Sequence, residues 1–259
     1  MDFREIILRQ KDGISTIILN RADLMNVLTF DMLRELQQGL KYCASDEATK
    51  VIVLTGTGRV FSAGGDIKTM VSGMNTKETI SFIDASAEMI RLITSIDKPI
   101  IASVNGLAAG ACFDYILAAD LAIASENARF TQGFSKLGML PDAGGTYFLP
   151  RILGLKKAKE IIYTNPVISA VEAENMGIVN RVVKHEDLER ETMKLAEQLA
   201  NGPSQAISLC KLILNRSLDT DLDNALATET YAQVVLMQTE DHKEGINAFL
   251  EKRDPLFGR

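Results

Sequence analysis

Phe61-Ser-Ala-Gly-Gly-Asp-Ile-Lys68 and Asn105-Gly-Leu-Ala-Ala-Gly-Ala-Cys-Phe-Asp114 decide how this chain is read. Each follows a candidate buried strand, the continuous apolar run Val51-Ile-Val-Leu54 for the first and Pro99-Ile-Ile-Ala-Ser-Val104, apolar but for Ser103, for the second. Apolar side chains at every position, rather than every other one, mark strands buried on both faces, as in a parallel sheet covered by helices. After each strand come residues with little or no side chain, where a helix is expected to begin. Backbone N–H groups at a helix start lack intrahelical acceptors and carry partial positive charge. Two such starts fed by neighbouring strands could aim two donors at one oxygen, the geometry of an oxyanion hole. The same small residues would equally serve tight helix–sheet packing.

Outward from these loops, the first half alternates strands and helices. Glu5-Ile-Ile-Leu8 and Ser15-Thr-Ile-Ile-Leu19 flank Asp12-Gly13, which reads as a hairpin turn. Met32, Leu33, Leu36, Leu40 and Cys43 recur at helical spacing, with Thr29 and Asp31 as capping candidates. A helix is expected to start near Asp66, and a longer one to run from about Thr79 to Ile96. Leu121-Ala-Ile-Ala124 is a third buried strand after a short helix. From about His185 the strands stop. Leu188, Leu195 and Leu199 share one helical face, and Ala206, Leu209, Leu212 and Ile213 share another. Further helices are expected over 222–238 and 241–251. The pattern predicts an α/β core over residues 1–195 and a C-terminal helical region over 196–259, apolar enough to drive self-association.

Composition narrows the function classes. The 259 residues are 46% hydrophobic and 24% charged, ordinary globular values that exclude disorder and coiled coil. Net charge is −6 and no Lys/Arg run occurs, which argues against nucleic acid as a partner. The Pro99–Phe113 stretch is too short to span a bilayer. Met1-Asp2-Phe3-Arg4-Glu5 lacks the basic-then-apolar pattern of a secretory signal. Cys43, Cys112 and Cys210 are sparse and far apart, as suits a reducing compartment, so a cytoplasmic protein is expected. With His185 and His242 as its only histidines, the chain offers no His-rich metal site. Gly-x-Gly-x-x-Gly and Gly-Lys-Ser/Thr are absent, and Gly133-Phe-Ser-Lys-Leu137 ends in Leu where a nucleophile elbow needs Gly. Ser208-Leu-Cys-Lys211 matches Ser-x-x-Lys but falls inside a regular helical pattern, where chance accounts for it.

Further motifs join the two loops: Gly138-Met-Leu-Pro-Asp-Ala-Gly-Gly-Thr146, Pro150-Arg-Ile-Leu-Gly154, Ala170-x-x-Ala173-x-x-Met-Gly-Ile-Val-Asn180, and Phe249-Leu-Glu-Lys-Arg-x-Pro255. In this order and spacing the chain resembles, over essentially its whole length, the crotonase family, the enoyl-CoA hydratase/isomerase superfamily. The resemblance implies a spiral of ββα units with a C-terminal helical trimerisation region, assembling as a homotrimer or a dimer of trimers. It implies an acyl-CoA thioester as ligand, with coenzyme A part of the substrate and no metal or redox cofactor. It also implies that the backbone N–H groups of Gly65 and Ala111 form the oxyanion hole. Ala111 serves there without its side chain, provided its φ is negative. Substrate contacts are implied at Ala63, Asp66, Ile67, Lys68, Gly110, Phe134 and Leu137. Arg59 and Lys68 flank the first loop as candidate partners of the CoA phosphates.

The acid/base groups divide the family. Hydratases resemble one another in carrying two glutamates, at the positions of Asp114 and Phe134 here. Asp114 keeps a carboxylate one methylene shorter, whereas Phe134 cannot move a proton. Asp142, where hydratases typically have Gly, is similar to the carboxylate of dienoyl-CoA isomerases and of the phenylacetyl-CoA epoxide isomerase group. The expectation is an isomerase in fatty-acid or aromatic-acid catabolism, with Asp142 and Asp114 as catalytic carboxylates. Asp142 would shuttle a proton along the acyl chain, at a pKa raised by an apolar pocket beside Phe134. The alternatives are a hydratase using Asp114 and a non-catalytic CoA-binding homologue.

Overall fold

The computed structural model describes residues 3–67 and 73–258. Its centre is a six-stranded sheet in the order β1-β2-β3-β5-β7-β10 beside a four-stranded sheet in the order β4-β6-β8-β9. The large sheet contains β1 (Ile6–Lys11), β2 (Ile14–Leu19), β3 (Val51–Gly56), β5 (Ile100–Val104), β7 (Leu121–Ser125) and β10 (Arg181–Val183). The small one contains β4 (Val60–Ser62), β6 (Leu107–Ala109), β8 (Arg129–Thr131) and β9 (Ile168–Ser169). β1 and β2 form the expected hairpin, with Lys11 opposite Ile14 and both turn residues at positive φ, 49° for Asp12 and 79° for Gly13. Positive φ at both central residues is the turn whose twist suits two flanking strands. The other strands of the large sheet are paired in parallel.

Each of β3, β5 and β7 crosses by a short turn to a strand of the small sheet, namely β4, β6 and β8. The chain then returns to the next parallel strand, and the repetition gives the spiral of ββα units. Two buried asparagines fix the crossings. Asn105 Nδ2 donates to the carbonyls of Gly58 and Val60, each at 3.0 Å. Asn26 Nδ2 donates to the carbonyls of Thr57, Val60 and Phe61 at 3.0–3.1 Å.

Helices cover both faces of the large sheet. Helix α1 (Phe30–Ser45) buries Met32, Leu33, Leu36, Leu40 and Cys43, as its spacing predicts. Thr29 caps it, its hydroxyl accepting the Met32 N–H at 3.0 Å, whereas Asp31 pairs with Arg34 one turn on. Helix α2 (Thr76–Ser95) begins three residues earlier than its apolar pattern suggests, because Asn75 and Glu78 form a reciprocal capping box. Helix α3 (Ala111–Ala118) has every residue buried. The helix expected near Asp66 falls mostly outside the described residues. Helices α4 (Gly145–Leu153), α5 (Leu155–Thr164) and α6 (Ala170–Asn175) follow.

Helix α7 (Leu188–Ala200) packs on the opposite face, against Ile14, Val51, Val53 and Ile101. Its buried stripe is Leu188, Thr192, Ala196 and Ala200 rather than the expected row of leucines. Small side chains let the helix approach the sheet closely, while Leu195 and Leu199 flank the contact half-buried. The position between residues 195 and 196, taken from sequence as the edge of the core, lies inside this helix. Beyond it come α8 (Ser204–Leu214), α9 (Leu222–Leu236) and α10 (Glu240–Glu251). In α8 Lys211 is buried, pairing with Asp120 Oδ2 at 2.8 Å and donating to the carbonyls of Ile93 and Lys98 at 3.0 Å. The Lys of the Ser-x-x-Lys match is thus a tie between this helix and the core. Helix α9 buries none of its residues, and Leu222 and Tyr231 are 72% and 75% exposed. Among the described residues no helix is long and apolar enough to cross a membrane.

Candidate active site

The two small-residue loops meet where β4 and β6 lie side by side. Gly64 has φ +88°, and a Cβ there would stand 2.7 Å from the carbonyl oxygen of Ala109, so only glycine permits this backbone-to-backbone approach. Ser62 supports the first loop, donating to the carbonyl of Asn26 at 2.7 Å and accepting the Gly64 N–H at 3.1 Å. Leu28 then bridges across the loop. Its N–H donates to the Gly64 carbonyl at 2.8 Å, and its carbonyl accepts the Asp66 N–H at 3.2 Å. In such a parallel bridge the residue between, Gly65, directs its own N–H away from Leu28. That N–H has no acceptor among the described residues.

In the second loop the Gly110 N–H donates to the carbonyl of Thr131 at 3.0 Å, and Gly110 takes φ 56° and ψ −133°. The chain then turns into α3, whose first residue is Ala111. A helix's first N–H has no intrahelical partner, and that of Ala111 has no acceptor among the described residues. Ala111 is absent from the positive-φ positions, so alanine sits there without strain.

Both unused amides belong to the wall of one cavity of about 270 Å³. Of the residues expected at the site, Ala63, Gly65, Ile67, Gly110, Ala111, Phe134, Leu137 and Asp142 line it. Asp66 does not, its N–H being held by Leu28, and Lys68 lies outside the described residues. Arg59 is exposed in the crossing from β3 to β4 and is not part of the wall. Leu28, Phe82, Phe134 and Met139 make most of the lining apolar.

The two carboxylates are placed differently. Asp142 is partly exposed on the cavity wall, and burial raises its pKa above the ordinary carboxylate value. Among the described residues of the wall it is the one carboxylate. Asp114, the other carboxylate expected at the site, is 0% exposed and is not among the residues lining the cavity. It is bonded to Gln132, whose Nε2 donates to Asp114 Oδ1 at 2.8 Å. Burial pushes the Asp114 pKa well up against the pull of that hydrogen bond, and the charge of Asp142 pushes it further. Helix α4 packs directly against this carboxyl: a Cβ on Gly145 would fall 2.5 Å from Oδ1.

Gln132 and Ser86 also line the cavity and were not anticipated. Gln132 follows the last residue of β8, at the carboxyl end of a parallel strand like both glycine loops, and that position was a legible signal. Ser86 on α2 gave none.

The arrangement suits a carbonyl that gains negative charge while a neighbouring carboxylate moves a proton. The comparisons with known proteins agree with that chemistry. The family model described as enoyl-CoA hydratase/isomerase matches residues 9–259. The chain is 37% identical to a crotonyl-CoA hydratase of Syntrophomonas wolfei, over 99% of both chains. It is 34% identical to a 1,2-epoxyphenylacetyl-CoA isomerase of Escherichia coli, over 97% of both. A crystal structure of an enoyl-CoA hydratase subunit from Geobacillus kaustophilus superposes with a TM-score of 0.94 at 39% identity, covering 100% of this chain and 99% of that one.

Proposed function

We propose that this chain, which belongs to the enoyl-CoA hydratase/isomerase family, moves a double bond along the acyl group of a CoA thioester. The thioester carbonyl accepts the N–H groups of Gly65 and Ala111. Asp142 takes a proton from one carbon, the two amides hold the resulting dienolate, and Asp142 returns the proton to another carbon. Each amide contributes about 3 kcal/mol to stabilising the developing oxyanion. The raised pKa of Asp142, caused by its burial, suits a group that must both take and give a proton. No metal or redox cofactor takes part, and coenzyme A enters and leaves as part of the substrate.

The carrying observation is that Asp142 stands alone as a carboxylate on the described wall, with Phe134 on the same wall and Asp114 bonded to Gln132. Conjugate addition of water asks for groups that both activate the water and protonate the α-carbon, and the wall offers one. The hydratase names among the relatives favour a second reading, addition of water with Asp114 as the acid/base group. Panels of 3-enoyl-CoA and 2-enoyl-CoA separate the two. Double-bond migration without water uptake supports isomerisation. Rapid hydration, abolished by Asp114→Asn and spared by Asp142→Asn, would replace it with the second reading. The same proposal includes assembly as a homotrimer or a dimer of trimers through the C-terminal helices, supported by their exposed apolar side chains.

A further inference from the structure

We infer that Asp114 and Gln132 close a neutral acid–amide ring that fixes the direction of the Ala111 amide. Asp114 is then a positioning residue, neither acid nor base in the reaction, a refinement that rests on the reading of that amide as an oxyanion donor. Gln132 Nε2 donates to Asp114 Oδ1 at 2.8 Å. The remaining oxygen of each group, Asp114 Oδ2 and Gln132 Oε1, is buried and has no partner among the described residues. Two buried acceptors left that way each forfeit a hydrogen bond. One proton on Oδ2 answers both. A protonated carboxyl donates once and accepts once, a primary amide does the same, and face to face they close a ring of two hydrogen bonds. The surroundings agree: Asp114 is 0% exposed, and the titratable groups coupled to it, Asp142, Cys112 and Tyr115, bring no positive charge. The donors of Gln132 and Gly145 favour the ionised form, and burial outweighs them.

The ring joins two segments that meet at the cavity wall, where Gly110, Ala111 and Gln132 all stand. The Gly110 N–H donates to the Thr131 carbonyl at 3.0 Å, and the Gly110 carbonyl accepts the N–H groups of Phe113 and Asp114 at 2.9 and 3.3 Å. Asp114 thus completes the first turn of the helix that Ala111 begins, and Gln132 directly follows Thr131. One backbone bond and the side-chain ring hold this turn to the end of β8 at two points. An amide that must meet a developing oxyanion tolerates little displacement, so the second point matters to turnover.

Infrared difference spectra and steady-state kinetics of the intact protein test this. At neutral pH the native protein is expected to show the carbonyl stretch of a protonated carboxylic acid, shifted in deuterium oxide and missing from Asp114→Asn. The asparagine keeps both hydrogen bonds, its Oδ1 accepting from Gln132 and its Nδ2 donating to Gln132 Oε1, so kcat is expected to stay within about tenfold of native. Asp114→Leu has a similar shape and cannot close the ring. Its kcat is expected to fall roughly ten- to a hundredfold below that of the asparagine variant, with KM within about threefold. Absence of the acid band, a loss beyond tenfold in Asp114→Asn, or a leucine variant as fast as the asparagine one would each overturn the inference. The spectrum and Asp114→Asn decide the question should the leucine variant fail to fold. Hydration by the native protein, with the acid band present and Asp114→Asn within tenfold, would overturn the isomerase reading alone.

Discussion

Gln132 donates its side-chain amide to Asp114 Oδ1 at 2.8 Å, so a residue of the cavity wall is bonded to a carboxyl that is fully buried. Burial holds the Asp114 pKa well above the ordinary value, and the charge of Asp142 adds to the shift. The folded protein therefore keeps a proton that the unfolded chain releases near pH 4. The unfolded state binds fewer protons above that pH, so this group's contribution to stability is full below about pH 4 and declines as pH rises through the raised pKa. Asp114→Asn removes the titration. Native stability is expected to fall relative to the variant as pH rises above about 4, the unfolded carboxyl's range, by at most about 1.4 kcal/mol per pH unit. Urea midpoints measured as pH is raised from about 4 check it, and a constant difference between the two proteins would contradict it.

Proline at position 111 offers a test of the second amide. Ala111 is the first residue of α3, the helical position where proline is tolerated, since no intrahelical bond is lost there, and where it replaces the N–H with a ring carbon. Ala111→Pro is expected to keep the native circular dichroism while lowering kcat by roughly a hundred- to a thousandfold. A variant that folds and turns over at the native rate would remove Ala111 from the oxyanion hole.

Much of this architecture was legible because it rests on local patterns. The apolar run Val51–Leu54 and the largely apolar Ile100–Val104 belong to strands covered on both faces, and Asp12-Gly13 is the tight hairpin. Gly64 and Gly110 announced the close loops through the side chains they lack. Contacts made across the spiral were not legible. Asn26 holds three carbonyls of a distant crossing, and nothing in its neighbourhood of sequence marks it. Asp114 looked like a group facing a ligand because its position resembled a catalytic glutamate. What surrounds its carboxyl is set by Gln132 and Gly145, which lie far along the chain.

The Lys211–Asp120 pair joins α8 to the core with little access to water, the two side chains being 4% and 16% exposed. Asp120 also accepts the Ile100 N–H at 2.7 Å, so it serves the start of β5 as well. Removing one member of a buried pair strands the other charge. Asp120→Ala is expected to cost about 3–5 kcal/mol by chemical denaturation. A loss below about 1 kcal/mol, the range of exposed pairs, would show that the tie contributes little.

The CoA phosphates need local cations on a protein of net charge −6. Lys136 stands on the cavity wall. Binding of acetyl-CoA is expected to weaken as salt is raised from about 0.05 M to about 0.5 M, because exposed ion pairs are screened over this range. An affinity indifferent to salt would argue against phosphate contacts.

Asp142 is held here to carry one hydrogen between two carbons of a thioester whose carbonyl rests on Gly65 and Ala111, with no water added. Mass spectrometry of a 3-enoyl-CoA incubated in deuterium oxide reads that claim directly. The account predicts migration of the double bond, deuterium on the carbon that receives the proton and no hydroxyacyl product, with Asp142→Asn slower by roughly a hundred- to ten-thousandfold. A hydroxyacyl-CoA as the main product, or native turnover by Asp142→Asn, would contradict it.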